Sequence, residues 1–310
     1  MSAVIAPRRG RGLAKESLTI IEAATEILRE IQPATVRATC YKLFTQSLIR
    51  DMGKGSTDKV SRLLTGARER EVIPWNWIVD ETREAERIAS WDNPESIIRS
   101  AVAQYRKDYW KEQPHRVEVW SEKGTVRGTI APVLREFGVT FRVMHGYGSA
   151  TALYGAAQDT VENDKPLTVL YVGDHDPSGL HMSEVDIPER LERYGGEADF
   201  RRIALTAQDV APGTDLPHFD ADTKRGDPRY RWFRDRYGSR CWELDALSPV
   251  TLRARVENAV VEMLDMGRWN SAVQVEKAER ASMNEFFATW KGTISGQASK
   301  YSGEGAHDTA

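Results

Sequence analysis

The stretch Leu167-Thr-Val-Leu-Tyr-Val172, followed at once by Gly173-Asp174-His175-Asp176-Pro177-Ser178-Gly179, decides how this chain is read. Six nearly continuous apolar residues bounded by a glycine suit a strand buried on both faces, as in a parallel sheet covered by helices. The pattern repeats on either side. Val117–Trp120 reads as a strand, Val126–Phe137 as a helix, Thr140–Met144 as a strand and Ser149–Val161 as a helix. After 167–172 come a helix over Ser178–Arg193 and a fourth strand over Phe200–Leu205. This β-α-β-α-β-α-β order predicts an α/β fold with a parallel four-stranded sheet and helices on both faces. Ligands of such sheets bind beyond the carboxyl ends of the strands.

Two of those ends are acidic. The strand at 117–120 runs into Ser121-Glu122-Lys123-Gly124, and the strand at 167–172 into Asp174 and Asp176. Three oxygen donors without a nearby thiolate select Mg²⁺, with Mn²⁺ as the alternative, over zinc. The plainer alternative is that Asp176 caps a helix with Pro177 at its first position, and that Glu122 pairs with Lys123 in solvent. Capping leaves Asp174 unexplained. His175 is given no metal role, and His181 is read as a helix-surface residue.

Ahead of the sheet lies a set of short helices. Ile20, Ile21, Ala24, Ile27 and Leu28 keep helical spacing within Ser17–Ile31. A second helix is expected over 35–49, with Val36, Cys40, Leu43 and Phe44 inward. A third, capped by Ser56 or Thr57, has Val60, Leu63 and Leu64 on its apolar side and Lys59, Arg62, Arg68 and Arg70 as its basic residues. Trp75, Trp77 and Val79 alternate as in a strand or wing, and the two tryptophans are expected in the core. Three helices and a following strand describe a winged helix-turn-helix, whose third helix can enter the major groove. A helix over Pro94–Lys111 then connects to the sheet.

The net charge is −3, yet residues 1–116 hold 20 Lys+Arg against 16 Asp+Glu. Residues 35–70 alone carry 8 basic and 3 acidic side chains, the local surface that phosphate contact needs. Lys42, Lys54, Lys59, Arg62, Arg68 and Lys123 are the candidate DNA contacts. Cys40 and Cys241 make neither a disulfide framework nor a zinc site, so reduced thiols and a cytoplasmic setting are expected. No apolar run is long enough for a membrane span, and none follows Arg8, Arg9 and Arg11 to make a signal peptide.

Glu122-Lys123 after one strand, and Asp-x-Asp-Pro-x-Gly at 174–179 after another, resemble the Toprim domain of topoisomerases, primases and certain nucleases. With the preceding helices, Thr35-Val-Arg37-Ala-Thr-Cys-Tyr41 resembles the Arg-x-x-x-Tyr segment of the A subunit of type IIB topoisomerases (topoisomerase VI), shared with the meiotic double-strand-break protein. The resemblance covers about residues 17–265, and the short chain resembles the small stand-alone forms called Mini-A. Many members carry Tyr-Tyr where this chain has Cys40-Tyr41. The domain order it implies is a disordered basic segment at 1–16 and a winged helix with a nucleophilic tyrosine at 17–92. A connecting helix at 93–115, a Toprim domain with a C-terminal helical extension at 116–290 and a disordered tail at 291–310 follow.

The chemistry implied is magnesium-dependent cleavage of double-stranded DNA, through a phosphotyrosyl link that permits religation, in a homodimer whose Tyr41 works with the metal cluster of the other protomer. Arg37, one helical turn from Tyr41, can hold a phosphate bidentately; Glu122 is expected both as ligand and as catalytic group. Met52-Gly-Lys-Gly-Ser-Thr57 is not a phosphate loop, so no ATP site is expected and ATP-driven strand passage would need a separate subunit. Two other readings stay open: a Toprim nuclease that activates water while Tyr41 is structural, and a winged-helix DNA-binding protein without catalysis.

Overall fold

A computed structural model describes residues 14–78, 89–144 and 150–303. The chain divides into two compact units, one of residues 1–83 and 117–262, the other of 84–116 and 263–310. The linear division at 92 and 116 read from the sequence differs from this one, because the segment after 92 shares a unit with the C-terminal helix.

In the first unit, α1 (Lys15–Ile31), α2 (Val36–Thr45) and α3 (Lys54–Glu69) pack on one another. Ile20, Ala24, Leu28, Leu43, Val60 and Leu64 form the dry centre of the trio. Truncating Leu28, wholly buried there, to alanine would cost about 2–5 kcal/mol. Thr35 starts α2 by accepting a hydrogen bond from the Ala38 amide. α2 stops at Thr45, earlier than 49, where Gln46 and then Ser47, at φ 57°, leave helical geometry.

The strand expected at 75–79 is absent over its described part. Trp75–Trp77 form a 3-10 turn, and only Ile78 makes a single parallel bridge, to Ala34; Val79 lies outside the described residues. Pro74, which has no amide proton to donate to a ladder, stands directly before the turn. Trp77 packs against the helical core, whereas Trp75 is 58% exposed under the Arg68 guanidinium, 4.7 Å away.

The sheet holds β1 (Arg116–Ser121), β2 (Thr140–Val143), β3 (Leu167–Val172) and β4 (Asp199–Ala204) in the order β2-β1-β3-β4, all parallel. Every residue of β3 is buried, as a central strand covered on both faces requires. Leu153, Ala156 and Ala157 of α6 (Ala150–Val161) and Ile187 and Leu191 of α8 (Ile187–Arg193) pack with Trp120, Val169 and Tyr171. α5 (Val126–Phe137) packs with α10 (Pro249–Glu262), which also meets β4.

The helix expected over 178–193 is α7 (Pro177–His181), a π-helical turn over Met182–Asp186, and α8. Pro188 supplies the physical reason: it has no amide proton and its ring crowds the carbonyl four residues back, so the turn widens. Beyond β4 come a small antiparallel pair, β5 (Phe219–Asp220) and β6 (Arg240–Cys241), and α9 (Tyr230–Tyr237).

Arg253, on α10, ties the end of α1 to α5. Its guanidinium donates to the carbonyls of Ile31, Gln32 and Pro33 at 3.1–3.2 Å and of Thr129 at 3.3 Å. A cation at the end of α1 satisfies carbonyls that the helix leaves unpaired.

In the second unit, α4 (Pro94–Gln104) packs on the long α11 (Met266–Gly303). Asn93 and Ser96 form a capping box at the start of α4. The helix ends at Gln104 instead of 111, and the chain after it is held to α11 by side chains. Tyr105 donates to Glu279 at 2.5 Å, Lys107 Nζ to the same carboxylate at 3.0 Å, and Tyr109 meets Trp269 edge-on. The tail expected to be disordered from 291 is helical as far as Gly303; residues 1–13 and 304–310 lie outside the described residues.

Candidate functional site

The acidic residues sit where the strand ends predict. Glu122 follows β1, and Asp174 and Asp176 lie between β3 and α7. The Asp174 amide donates to Glu122 Oε1 at 3.3 Å, which joins the two strand ends. Asp176 also caps α7, Oδ1 accepting from the Gly179 amide at 2.8 Å, so the capping reading of this residue is correct as far as it goes. Gly179 explains the last position of the motif. A Cβ there would lie 2.5 Å from the Asp174 carbonyl oxygen and 3.2 Å from Glu122 Oε1.

Two lysines face these acids. Lys123 Nζ lies 2.8 Å from Asp174 Oδ1 and 3.2 Å from Asp245 Oδ2. Lys224 lies 3.4 Å from Asp176 Oδ2. The proposed Glu122–Lys123 pairing in solvent is therefore not what forms, and Lys123 is engaged with carboxylates rather than presented to DNA. Burial, then Asp174, then Asp176 push the Glu122 carboxyl up to about 7. Burial also raises Asp174, against the pull of Lys123 and the Leu244 amide. For Lys123 burial alone would lower the pKa, but Asp174 and Asp245 outweigh it and hold the ammonium charged.

Among the described residues no group of three His, Cys, Asp or Glu side chains is arranged as ligands around one point. The donor chemistry nevertheless suits a hard cation: burial, with the neighbouring carboxylates adding to it, raises both Glu122 and Asp174, and two ammonium groups sit against Asp174 and Asp176.

Arg202, on β4, grips the loop from inside. It donates to the carbonyls of Leu205 at 2.8 Å and Gly173 at 2.9 Å, to that of Asp174, and to Ser183 Oγ at 2.7 Å, with its guanidinium 5.5 Å from the Tyr171 ring centre. His175 is buried among Phe233, Tyr237 and Trp242, and burial followed by Arg202 lowers it to about 4, so it is neutral at pH 7. His181 is half-buried, its ring packed edge-on against Trp232 at 5.1 Å.

A second cluster adjoins the first. His175 and Trp242 exchange backbone hydrogen bonds at 2.9 and 3.0 Å, and the Leu244 amide donates to Asp174 Oδ1 at 2.7 Å. The segment between carries Glu243, and Asp245 follows. Both meet α2: Arg37 donates to Glu243 through Nε and Nη2, and the Thr35 hydroxyl donates to Asp245 Oδ1 at 2.9 Å. Tyr41, one turn from Arg37 with its ring 5.9 Å from that guanidinium, lines the same cavity as the Glu243 carboxylate. Burial, then the Glu243 charge, hold the phenol well above its ordinary pKa, and Arg37 only partly offsets them. Arg37, Tyr41 and Glu243 line one cavity of about 450 Å³, together with Phe44, Arg50 and His218.

The remaining basic residues are dispersed. Lys54 and Arg62 are exposed, Lys42 is half-buried, Lys59 pairs with Glu16 at 2.6 Å, and Arg68 lies on Trp75. Glu243, Asp245, Lys224 and Arg202 were not picked out from sequence, since no motif or spacing marks them. Compared with known proteins, the chain matches no family model and no curated protein. Among the described residues no helix is long and apolar enough to cross a membrane.

Proposed function

We propose that this chain cleaves double-stranded DNA by tyrosine transesterification, in the manner of the A subunit of type IIB topoisomerases, with its helical trio as a winged-helix-like DNA-binding part and its sheet as a Toprim domain. The observation that carries the reading is the junction of the two clusters: the segment whose Leu244 amide holds Asp174 also presents Glu243 to Arg37 and Tyr41. A nucleophile on one element and a carboxylate cluster on another are thereby linked through four consecutive residues.

In this scheme Glu122, Asp174 and Asp176 would hold Mg²⁺, which when bound supplies charge to stabilise the phosphate and the leaving sugar oxygen. Arg37 clamps the scissile phosphate and keeps positive charge beside the phenol. Lys123 and Lys224 limit the repulsion among the acids before a cation arrives. Exposed Lys54 and Arg62 contribute sequence-independent contacts to DNA phosphates.

One observation favours the hydrolytic alternative. Tyr41 is only 6% exposed, as a purely structural tyrosine would be. The two are separated by incubating wild type and Tyr41→Phe with supercoiled plasmid and Mg²⁺, stopping with detergent and comparing DNA before and after protease. Transesterification gives protein-linked breaks that Tyr41→Phe cannot make. Protein-free breaks made equally by Tyr41→Phe would assign the chain to hydrolytic nucleases.

A further inference from the structure

We infer that Glu243 is the general base for Tyr41: its carboxylate, facing the tyrosine hydroxyl and Arg37 across a shared cavity, takes the phenolic proton during attack. The inference rests on the transesterification reading above and adds the group that reading lacks.

The chemistry needs such a group. Buried on the inner side of α2, Tyr41 is held neutral by desolvation and by the neighbouring carboxylate, so no standing phenolate is available. The proton must leave as the oxygen attacks, which requires an acceptor within hydrogen-bond reach. Glu243 lines the same cavity as Tyr41, and Arg37, whose guanidinium lies over the Tyr41 ring, holds its carboxylate there. Asp245, two residues on, is not equivalent, because Thr35 engages one of its oxygens at 2.9 Å and Lys123 the other at 3.2 Å. Cys40 is wholly buried, and burial raises its thiol to about 11. His218 lines the same cavity and is the competitor that an experiment must address.

Each part of the arrangement has a cause in the fold. Arg37 and Tyr41 are four residues apart and so share a face of α2. Glu243 is delivered by the backbone pairing of Trp242 with His175. The cavity of about 450 Å³ leaves space beside all three groups for a phosphodiester. In the step itself the Tyr41 Oη–P bond forms and the bond from phosphorus to the sugar oxygen breaks. The phenolic proton moves to a Glu243 carboxylate oxygen. The electron pair leaves with the sugar oxygen, which takes a proton from water. Nothing is oxidised or reduced, and the reverse step returns the proton to the phenolate and reseals the strand.

The test uses the full chain, labelled duplex DNA and Mg²⁺, and follows covalent adduct formation under single-turnover conditions. Glu243→Gln keeps the shape and removes the base, so adduct formation should fall by about 10²–10⁴-fold while DNA binding stays near wild type. Glu243→Ala should fall similarly and be restored in a dose-dependent way by added formate, a small carboxylate that the cavity can admit. Glu243→Asp should retain intermediate activity. Thermal melts establish that each variant is folded, and the formate arm distinguishes a missing base from a displaced Arg37. Wild-type rates in Glu243→Gln would overturn the assignment. So would a loss in folded Glu243→Ala that formate does not restore, or a loss confined to His218→Ala. If wild type itself yields breaks without any adduct, the transesterification reading fails and the base assignment falls with it.

Discussion

Lys123 and Asp174 form an ion pair, Nζ to Oδ1 at 2.8 Å, with side chains 24% and 13% exposed. The lysine follows Glu122 directly, so one strand end contributes both an acid of the cluster and a cation that offsets another. Because the same ammonium reaches Asp245, it also joins the carboxylate loop to the segment that meets α2.

Removing that ammonium should therefore be costly without metal. Lys123→Ala leaves Asp174 and Asp245 partly buried with their nearest cation gone, a change worth about 3 kcal/mol. Melting in EDTA should fall by several degrees, and Mg²⁺ should recover more of the loss than it adds to wild type. Unchanged melting in EDTA would mean that the pair is inconsequential.

Glu122 should behave in the opposite sense. Its carboxyl is raised to about 7 from an ordinary 4.5, so the folded state carries no penalty below about pH 4.5. The penalty grows as pH rises and is complete above about 7. In EDTA, Glu122→Gln should match wild type near pH 5 and exceed it at pH 8, by roughly 3 kcal/mol at most. The same variant should bind Mn²⁺ more weakly by titration calorimetry. Equal stability across that pH range would show that burial and the neighbouring acids do not raise the Glu122 carboxyl as inferred.

Whether the tyrosine and the carboxylates act within one chain or between two is open to a mixing experiment. A double-strand break needs two nucleophiles in symmetric positions, which a two-fold dimer supplies. If Tyr41 of one protomer works with Asp174 of its partner, mixing inactive Tyr41→Phe with inactive Asp174→Ala leaves one intact composite site per hybrid dimer. Protein-linked nicks should reappear. If both groups act within one chain, neither site in the hybrid is complete and no nicking returns.

The legible part of this protein was its periodicity. The apolar run at 167–172 gave a buried central strand, and acids at two strand ends came together because strand ends converge in a parallel sheet. The Arg37–Tyr41 spacing likewise placed the two groups on one face of α2. What the pattern could not reveal acts over long separations: Glu243 lies 206 residues from Arg37 and Arg202 lies 28 from Asp174. Neither sits in a spacing that a strand or helix would mark. Composition misled at the C-terminus, where Gly, Ser and Ala suggested disorder and the chain is helical to Gly303. It misled again at 75–79, where alternation suggested a strand and Pro74 precedes a 3-10 turn.

Arg202 provides the sharpest test of how the loop is held. A buried guanidinium is costly unless its donors are used. Here they are spent on the carbonyls of Gly173, Asp174 and Leu205 and on the Ser183 hydroxyl, so the charge is converted into the shape of the segment bearing Asp174 and Asp176. Burial lowers the basicity of the guanidinium, though arginine remains charged, and the face of Tyr171 lies beside it. A lysine cannot reproduce a planar fork with five donors. Arg202→Lys should therefore retain the charge but leave carbonyls unsatisfied, and Arg202→Met should remove both. We expect destabilisation of about 2–4 kcal/mol for Arg202→Met and somewhat less for Arg202→Lys. Both should weaken Mn²⁺ binding, while DNA affinity, which the proposed function places on basic residues elsewhere, should remain near wild type. Denaturant unfolding, calorimetric Mn²⁺ titration and a DNA-binding isotherm measure the three quantities on the same samples. A folded Arg202→Met protein with wild-type Mn²⁺ affinity would show that the loop keeps its geometry without the arginine.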